Sequence, residues 1–268
     1  MYTKILSKLE AKRLDFSMVD SLGRNALHYA AEAGQLNLVQ TLLEKGLDIN
    51  RSDNQGQTPP GLVAKTTFSK LFDFCKLGLS FRLDLNKTFL VKKYEHTILT
   101  YIVDHEKSLT VLSLISDQGA DINQGDGMGY TPLIHLIRQN REEEVKNLIK
   151  THRKLLTKTV DNEGKNIIHH VVTPRQFGSY ENISLLEFLS KYADINHIDK
   201  HGKPPLYYAK AQESGKMEKA LLKLKVKETE MGPVIGVNRT TTTIFEGIDF
   251  PSHPNNYEHD FEKFVEEC

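Results

Sequence analysis

A short turn motif followed by two apolar helix patterns recurs six times along this 268-residue chain. Its fullest copy is Gly23-Arg24-Asn25-Ala26-Leu27-His28-Tyr29-Ala30-Ala31. The others begin near Gly56-Gln57-Thr58-Pro59, Glu95-His96-Thr97-Ile98-Leu99, Gly129-Tyr130-Thr131-Pro132-Leu133, Gly164-Lys165-Asn166-Ile167-Ile168-His169 and Gly202-Lys203-Pro204-Pro205-Leu206. From Asn25 through Thr58, Thr97, Thr131 and Asn166 to Pro204 the spacings are 33, 39, 34, 35 and 38 residues. A unit of that length cannot bury its own apolar face, so it must stack on its neighbours. The chain therefore grows as an array.

Residues 20–53 show how one copy works. Asp20 and Gly23 mark a tight turn, and Asn25 can cap the following helix by accepting backbone N–H bonds. The spacing predicts a first helix over about Ala26–Ala33, made slim by Ala26, Ala30 and Ala31 and ended by Gly34. A second helix over about Leu36–Glu44 places Leu38, Val39, Leu42 and Leu43 in a one-face stripe. Gly46 stops it, and Leu47-Asp48-Ile49-Asn50 opens an extended finger. Later stripes are Phe68/Leu71/Phe72/Cys75, Val111/Leu112/Ile115, Val145/Leu148/Ile149, Leu185/Leu186/Leu189 and Leu221/Leu222.

A period near 33 with a Thr-Pro-Leu-His-x-Ala core resembles the ankyrin-repeat family over roughly residues 20–225. The resemblance implies an all-α ankyrin-repeat solenoid of about six helix-turn-helix repeats with extended finger loops, set at 20–52, 53–91, 92–125, 126–160, 161–198 and 199–227. Residues 1–19 read as a partial or capping repeat, because Leu9, Leu14 and Asp15 match Leu42, Leu47 and Asp48 at a shift of 33 residues. They are either a cap or the cut end of a longer array. Residues 228–268 form an acidic tail with a helix pattern at Tyr257, Phe261, Phe264 and Val265, which ends abruptly at Cys268 and suggests a fragment.

Three copies depart from the pattern. Pro60 and Gly61 predict a weak first helix in the second, since both are poor helix residues. The third has Thr100 at the motif histidine and an extra segment, Phe81–Tyr94, expected to extend a finger or loop. The fifth carries about five extra residues around Thr173–Tyr180. Such insertions are either binding loops or drift, because longer loops cost little closure entropy.

Composition narrows the function classes. Hydrophobic residues are 39% and charged residues 26% of the chain, and no apolar run approaches a membrane span. Only Cys75 and Cys268 are present, which fits a reducing compartment, cytoplasm or nucleus. Formal net charge is zero, but residues 231–268 carry two cations against seven acids, −5, leaving +5 on the rest. Spread over that length, +5 makes no nucleic-acid stripe.

His28 and His169 take the family's motif-histidine position, where the resemblance implies that they knit turns together. The sequence sets no nucleophile or acid beside them, so no catalytic residue is expected. His197-Ile198-Asp199-Lys200-His201 lies on a finger without a regular face or a nearby cysteine, so no metal site is expected. His169-His170 points two ways from one helix. Gly125-Asp126-Gly127-Met128-Gly129 lacks the rest of a phosphate loop, and Pro132 stands where a calcium loop needs its twelfth ligand. No cofactor is expected. Arg239 with Thr240–Thr243 reads as a polar linker that phosphorylation could reach.

The expected partner is a protein or peptide, bound by a monomer, with no direct nucleic acid and no membrane. Finger tips and first helices line the inner side of such a stack. Position in the repeat selects Arg51, Asn54, Gln55, Tyr130, His197, Lys200 and His201 from fingers, with Tyr29, Glu32 and Arg138 from first helices.

Phe177-Gly178-Ser179-Tyr180-Glu181-Asn182, Ser214-Gly215-Lys216-Met217 and Leu221-Leu222-Lys223-Leu224 are similar to stretches of nematode and protist tankyrase-like poly(ADP-ribose) polymerases. This narrower resemblance covers under a tenth of the chain. It implies a parent protein with an NAD-dependent ADP-ribosyltransferase domain further along, nothing of which is in this sequence. A free-standing adaptor, and an intramolecular module that docks its own tail or a downstream enzyme domain, are the other readings.

Overall fold

The first five units begin with a side-chain cap, and the sixth has Pro204 at that place instead. The Asn25 carboxamide oxygen accepts from the backbone N–H groups of Leu27 and His28 at 3.1 and 3.3 Å, while the Asn25 N–H donates back to His28 Nδ1. Asn166 repeats this box with Ile168 and His169, and Thr131 caps Ile134. These bonds satisfy amides that the first turn leaves without partners. Gly23 lies at φ +76°, and a Cβ there would meet Asn54 Oδ1 at 2.5 Å, so glycine serves both the turn and the approach of the next finger.

The structure is a computed structural model describing residues 15–66, 68–91, 94–105, 116–156, 159–173, 181–211 and 215–224. Residues 1–14, the Val111/Leu112/Ile115 stripe, the insert from Pro174 to Tyr180, Ser214 and the acidic tail from 225 lie outside the described residues.

Paired helices follow one another: α1 (Ala26–Glu32) and α2 (Leu36–Glu44), then α3 (Pro59–Thr66) and α4 (Phe68–Leu79). A two-stranded hairpin, β1 (Phe89–Val91) and β2 (Tyr94–His96), precedes α5 (Ile98–His105). Next come α6 (Pro132–Arg138) with α7 (Glu142–Leu156), α8 (Ile167–Val172) with α9 (Ile183–Leu189), and α10 (Pro205–Lys210) with α11 (Lys216–Lys223). The expected all-α solenoid is present. First helices pack in series, α1 on α3, α5 on α6, α6 on α8 and α8 on α10. Second helices do likewise where α2 meets α4 and α9 meets α11. The core is therefore a continuous seam of small shared interfaces, with Val39, Leu42 and Leu43 of α2 buried near Leu71, Phe74 and Cys75 of α4.

The second and third copies correct the sequence reading together. α3 is a full eight-residue helix, and Pro59 through Ala64 are all buried. Prolines at the start of a helix lose no bond that the first turn would have made. Gly61 has a packing reason: a Cβ there would lie 2.8 Å from Phe89 Cβ. Phe89 comes from the extra segment, which is a paired antiparallel hairpin in register Phe89↔His96, Leu90↔Glu95 and Val91↔Tyr94. Its ring also meets Tyr101, with centroids 5.8 Å apart, and the Tyr101 hydroxyl donates to the Ala64 carbonyl at 2.7 Å. The side chain missing at Gly61 is thus replaced by a ring from the hairpin that leads into the third copy.

Truncating Leu42, which is 1% exposed, to alanine is expected to cost about 2–5 kcal/mol in denaturant unfolding, through lost transfer energy and a cavity. Gly61→Ala is expected to cost about 1–3 kcal/mol by overpacking against Phe89. An unchanged unfolding midpoint in either variant contradicts the packing described.

Candidate partner-binding face

Finger geometry is fixed by an aspartate. In five copies the carboxylate stands three residues before a left-handed glycine and accepts two backbone N–H bonds, from the residues two and four further on. Asp126 Oδ1 takes Met128 and Tyr130, Asp161 Oδ1 takes Glu163 and Lys165, and Asp199 Oδ1 takes His201 and Lys203, all at 2.8–2.9 Å. The second oxygen reaches the first helix, nine residues on: Asp20 to the Tyr29 hydroxyl, Asp126 to His135 Nε2 at 2.9 Å, Asp161 to His170 Nε2 at 3.1 Å, and Asp199 to the Tyr208 hydroxyl at 2.5 Å. Asp53 has Leu62 at that position and binds Arg24 Nε of the preceding copy instead, at 2.8 Å.

Neighbouring fingers are laced together. The Asn54 N–H donates to the Leu22 carbonyl, Asn162 to Met128, and Lys200 to Glu163, at 2.9–3.1 Å. Asn54 and Asn162 also donate from their amides to Ser21 and Gly127, and Lys200 Nζ donates to the Asn162 carbonyl at 2.6 Å. The motif histidines do what the family resemblance implies. With the proton on Nε2, His28 donates to the Arg51 carbonyl and His169 to the Lys203 carbonyl, both at 3.1 Å.

At the fourth copy the motif position holds Ile134, and the histidine stands one residue later. His135 is buried between two carboxylates: Nδ1 forms a 2.9 Å ion pair with Asp104 of the third copy, and Nε2 binds Asp126. Burial alone would push this imidazolium's pKa down, but the two carboxylates outweigh burial and hold it up at about 10. His169 lacks such neighbours, and burial presses it down to about 4; His96 is pressed to about 4 although Asp104 partly opposes. His170 is also lowered, because burial outweighs the pull of Asp161.

The residues selected from the repeat position fall into two groups. Tyr29 is 46% exposed, Glu32 is half-buried and paired with Arg24, and Arg51, Asn54, Gln55, Lys200 and His201 are exposed. Tyr130 corrects its reading as an anchor, being only 8% exposed. Its ring is a spacer, edge-on to His135 and His170 at 5.9 and 5.2 Å, and so joins the fourth and fifth copies. His197 is half-buried, donates to the Gly164 carbonyl at 2.9 Å and lies against His169, so it also serves the stack. Arg138 stands 4.8 Å above Tyr130, and His201 pairs with Glu163 at 2.5 Å. Sequence reasoning missed the finger aspartates as clamps. The signal was present as an Asp three residues before the finger glycine in five copies, with Tyr or His nine residues on in four of them.

Among the described residues no group of three acidic, histidine or cysteine side chains could hold a metal ion, and no helix is long and apolar enough to cross a membrane. The family model described as ankyrin repeats (3 copies) matches residues 2–74. An ankyrin repeat protein of Variola virus, OPG189, is 29% identical over 206 residues, covering 71% of this chain and 33% of that protein. A chain from the complex of the predatory endopeptidase Bd0816 of Bdellovibrio bacteriovorus with immunity protein Bd3460 is 26% identical. Its TM-score is 0.53, with 75% of this chain and 98% of that one covered. The human ASB11 ankyrin repeat domain, at 19% identity and TM-score 0.55 over 85% of this chain and 92% of that one, shares the fold. The chain spans a third or less of the length of the first curated relatives it matches, 17% for dog inversin and 33% for OPG189.

Two opposed pH limits follow. His135 binds its proton more tightly folded than unfolded, so its contribution is complete below about pH 6.5 and disappears as pH rises toward 10. His169 and His96 are neutral in the fold, so their contribution is present above about pH 6.5 and is lost as pH falls toward 4. Thermal melts should peak near neutrality. In His135→Leu the alkaline decline between pH 7 and 10 should flatten, and an unaltered decline contradicts the buried imidazolium.

Proposed function

This chain belongs to the ankyrin-repeat family, and we propose that it works as a protein–protein interaction scaffold whose finger tips and first helices grip a protein or peptide. Ankyrin repeats are binding modules, and chemistry of their own is not part of the proposal. The observation that carries it is the division of labour along the fingers. Backbone amides and buried polar groups are consumed by the aspartate clamps and the lacing between copies, while Gln55, Asn162, Glu163, Lys200 and His201 stand exposed on that framework. A face held this way loses little conformational freedom when a partner settles on it, so more of the contact energy appears as affinity.

Tyr29 and the exposed finger residues Arg51, Asn54, Gln55, Lys200 and His201 are the proposed contacts, with Glu32 and Arg138 flanking them. We read the compartment as cytoplasm or nucleus, supported by the two cysteines of the chain and the burial of Cys75. A longer parent bearing an ADP-ribosyltransferase domain is a finer proposal supported by the short stretches near residues 177–182, 214–217 and 221–224. The coding sequence downstream of residue 268 decides it.

Asn54 and Lys200 hold neighbouring fingers, so the informative test spares them. Combined Arg51→Ala, Gln55→Ala and His201→Ala should weaken capture of partners from lysate by about 10-fold to 100-fold, the loss of one or two anchors, with the melting temperature kept. Capture of every partner at unchanged strength counts against this face.

A further inference from the structure

The residue just before the helix cap, four past the aspartate in five copies, holds an equivalent place in every copy. In the first copy it is Arg24, whose charge is spent on Asp53 at 2.8 Å and Glu32 at 3.3 Å. In the second and third copies it is Gln57 and His96, both buried. The last three copies differ. Tyr130 carries the Arg138 guanidinium above its ring at 4.8 Å. Lys165 Nζ stands 5.1 Å from the Tyr208 ring centre, and Lys203 Nζ 4.2 Å from that of Tyr207. Among the described residues none of these three cations makes an ion pair with a carboxylate.

The clamp aspartates of these copies are already engaged. Asp126, Asp161 and Asp199 are turned inward onto His135, His170 and Tyr208, and exposed Glu163 faces His201. One cationic head per copy therefore remains in a row. Each head is steadied on an aromatic face, which reduces the side-chain freedom lost when an anion arrives. Ile198, on the finger that leads to Lys203, is 56% exposed.

Packed helices are about 8–10 Å apart and an extended chain rises about 3.3 Å per residue, so the row fits a segment with carboxylates roughly every third residue. We propose that the row formed by Arg138, Lys165 and Lys203 is the docking track for the acidic segment 246–267 of this same chain. That segment holds Glu246, Asp249, Glu258, Asp260, Glu262, Glu266 and Glu267 against the single cation Lys263, and Glu246 and Asp249 have the three-residue spacing. The stack's last described residue is Leu224, so the linker to Glu246 is about twenty residues long. A flexible chain of that length would reach about 25 Å on average, which spans two copies. Tethering supplies an effective concentration near millimolar, enough for exposed ion pairs that are individually weak. Bound there, the segment would compete with an anionic partner for the same three cations. The inference rests on the binding face proposed above, but its test needs no partner.

Cys75 is buried and burial pushes its thiol up to about 12, so a maleimide nitroxide reacts at Cys268 in the native full-length chain. In 50 mM salt the amide signals of Lys165, Lys203 and Tyr207 should fall to less than half of their reduced-label intensity, while those of Leu38, Gln40 and Lys76 on the second helices stay unchanged. The loss should disappear in 0.5 M salt and in Lys165→Gln with Lys203→Gln, a surface pair that leaves the core intact. Uniform intensities, broadening that follows the second helices, or broadening that survives both salt and the double substitution each overturn the proposal. Pull-down results leave this outcome untouched, so the two readings fail separately.

Discussion

A carboxylate offers about four acceptor sites, and the finger aspartates use them to join three parts of the chain that would otherwise be independent. One oxygen closes the turn by taking two backbone N–H groups; the other fixes the first helix nine residues away. Because most of these bonds are part-buried, each shortfall would leave a polar group with reduced access to solvent. The turn, the helix start and the finger direction are consequently set by a single side chain, and the lacing between copies follows from that direction.

What the partner of the aspartate is determines how each copy is joined to the next. A tyrosine hydroxyl at Tyr29 or Tyr208 closes the clamp within its own copy. His135 carries a proton and so has a second donor, which it uses on Asp104 of the preceding copy. His170 closes its own clamp and presents its ring to Tyr130. The fourth copy is therefore tied by charge on one side and by stacked rings on the other, whereas the first two are tied by Arg24 across Asp53.

The architecture was legible because a period of about 33 residues is imposed by packing and survives local substitution. Helix Leu36–Glu44 has the bounds expected, and His28 and His169 make the bonds their positions imply. The misreadings have one physical origin. Propensity at Pro60 and Gly61 argued for a frail helix, but propensity is local, and Phe89 arrives from 28 residues further along the sequence. Repeat position likewise placed Tyr130 and His197 on the surface, because sequence register does not reveal whether the next first helix covers them. Exposed positions such as Gln55 and His201 were readable because finger tips have no neighbour above them.

The exchange between Gly61 and Phe89 bears on how the array can change over time. Finger lacing repeats one backbone bond between the first and second, fourth and fifth, and fifth and sixth copies, so a copy exchanged at these junctions meets the same connector. The join of the second and third copies is different: the hollow at Gly61 is filled by the ring of Phe89, which pairs with His96 in the hairpin that leads into the third copy. Inheritance therefore has to move the two copies together, which fixes this stretch of the array while its flanks remain free to lengthen.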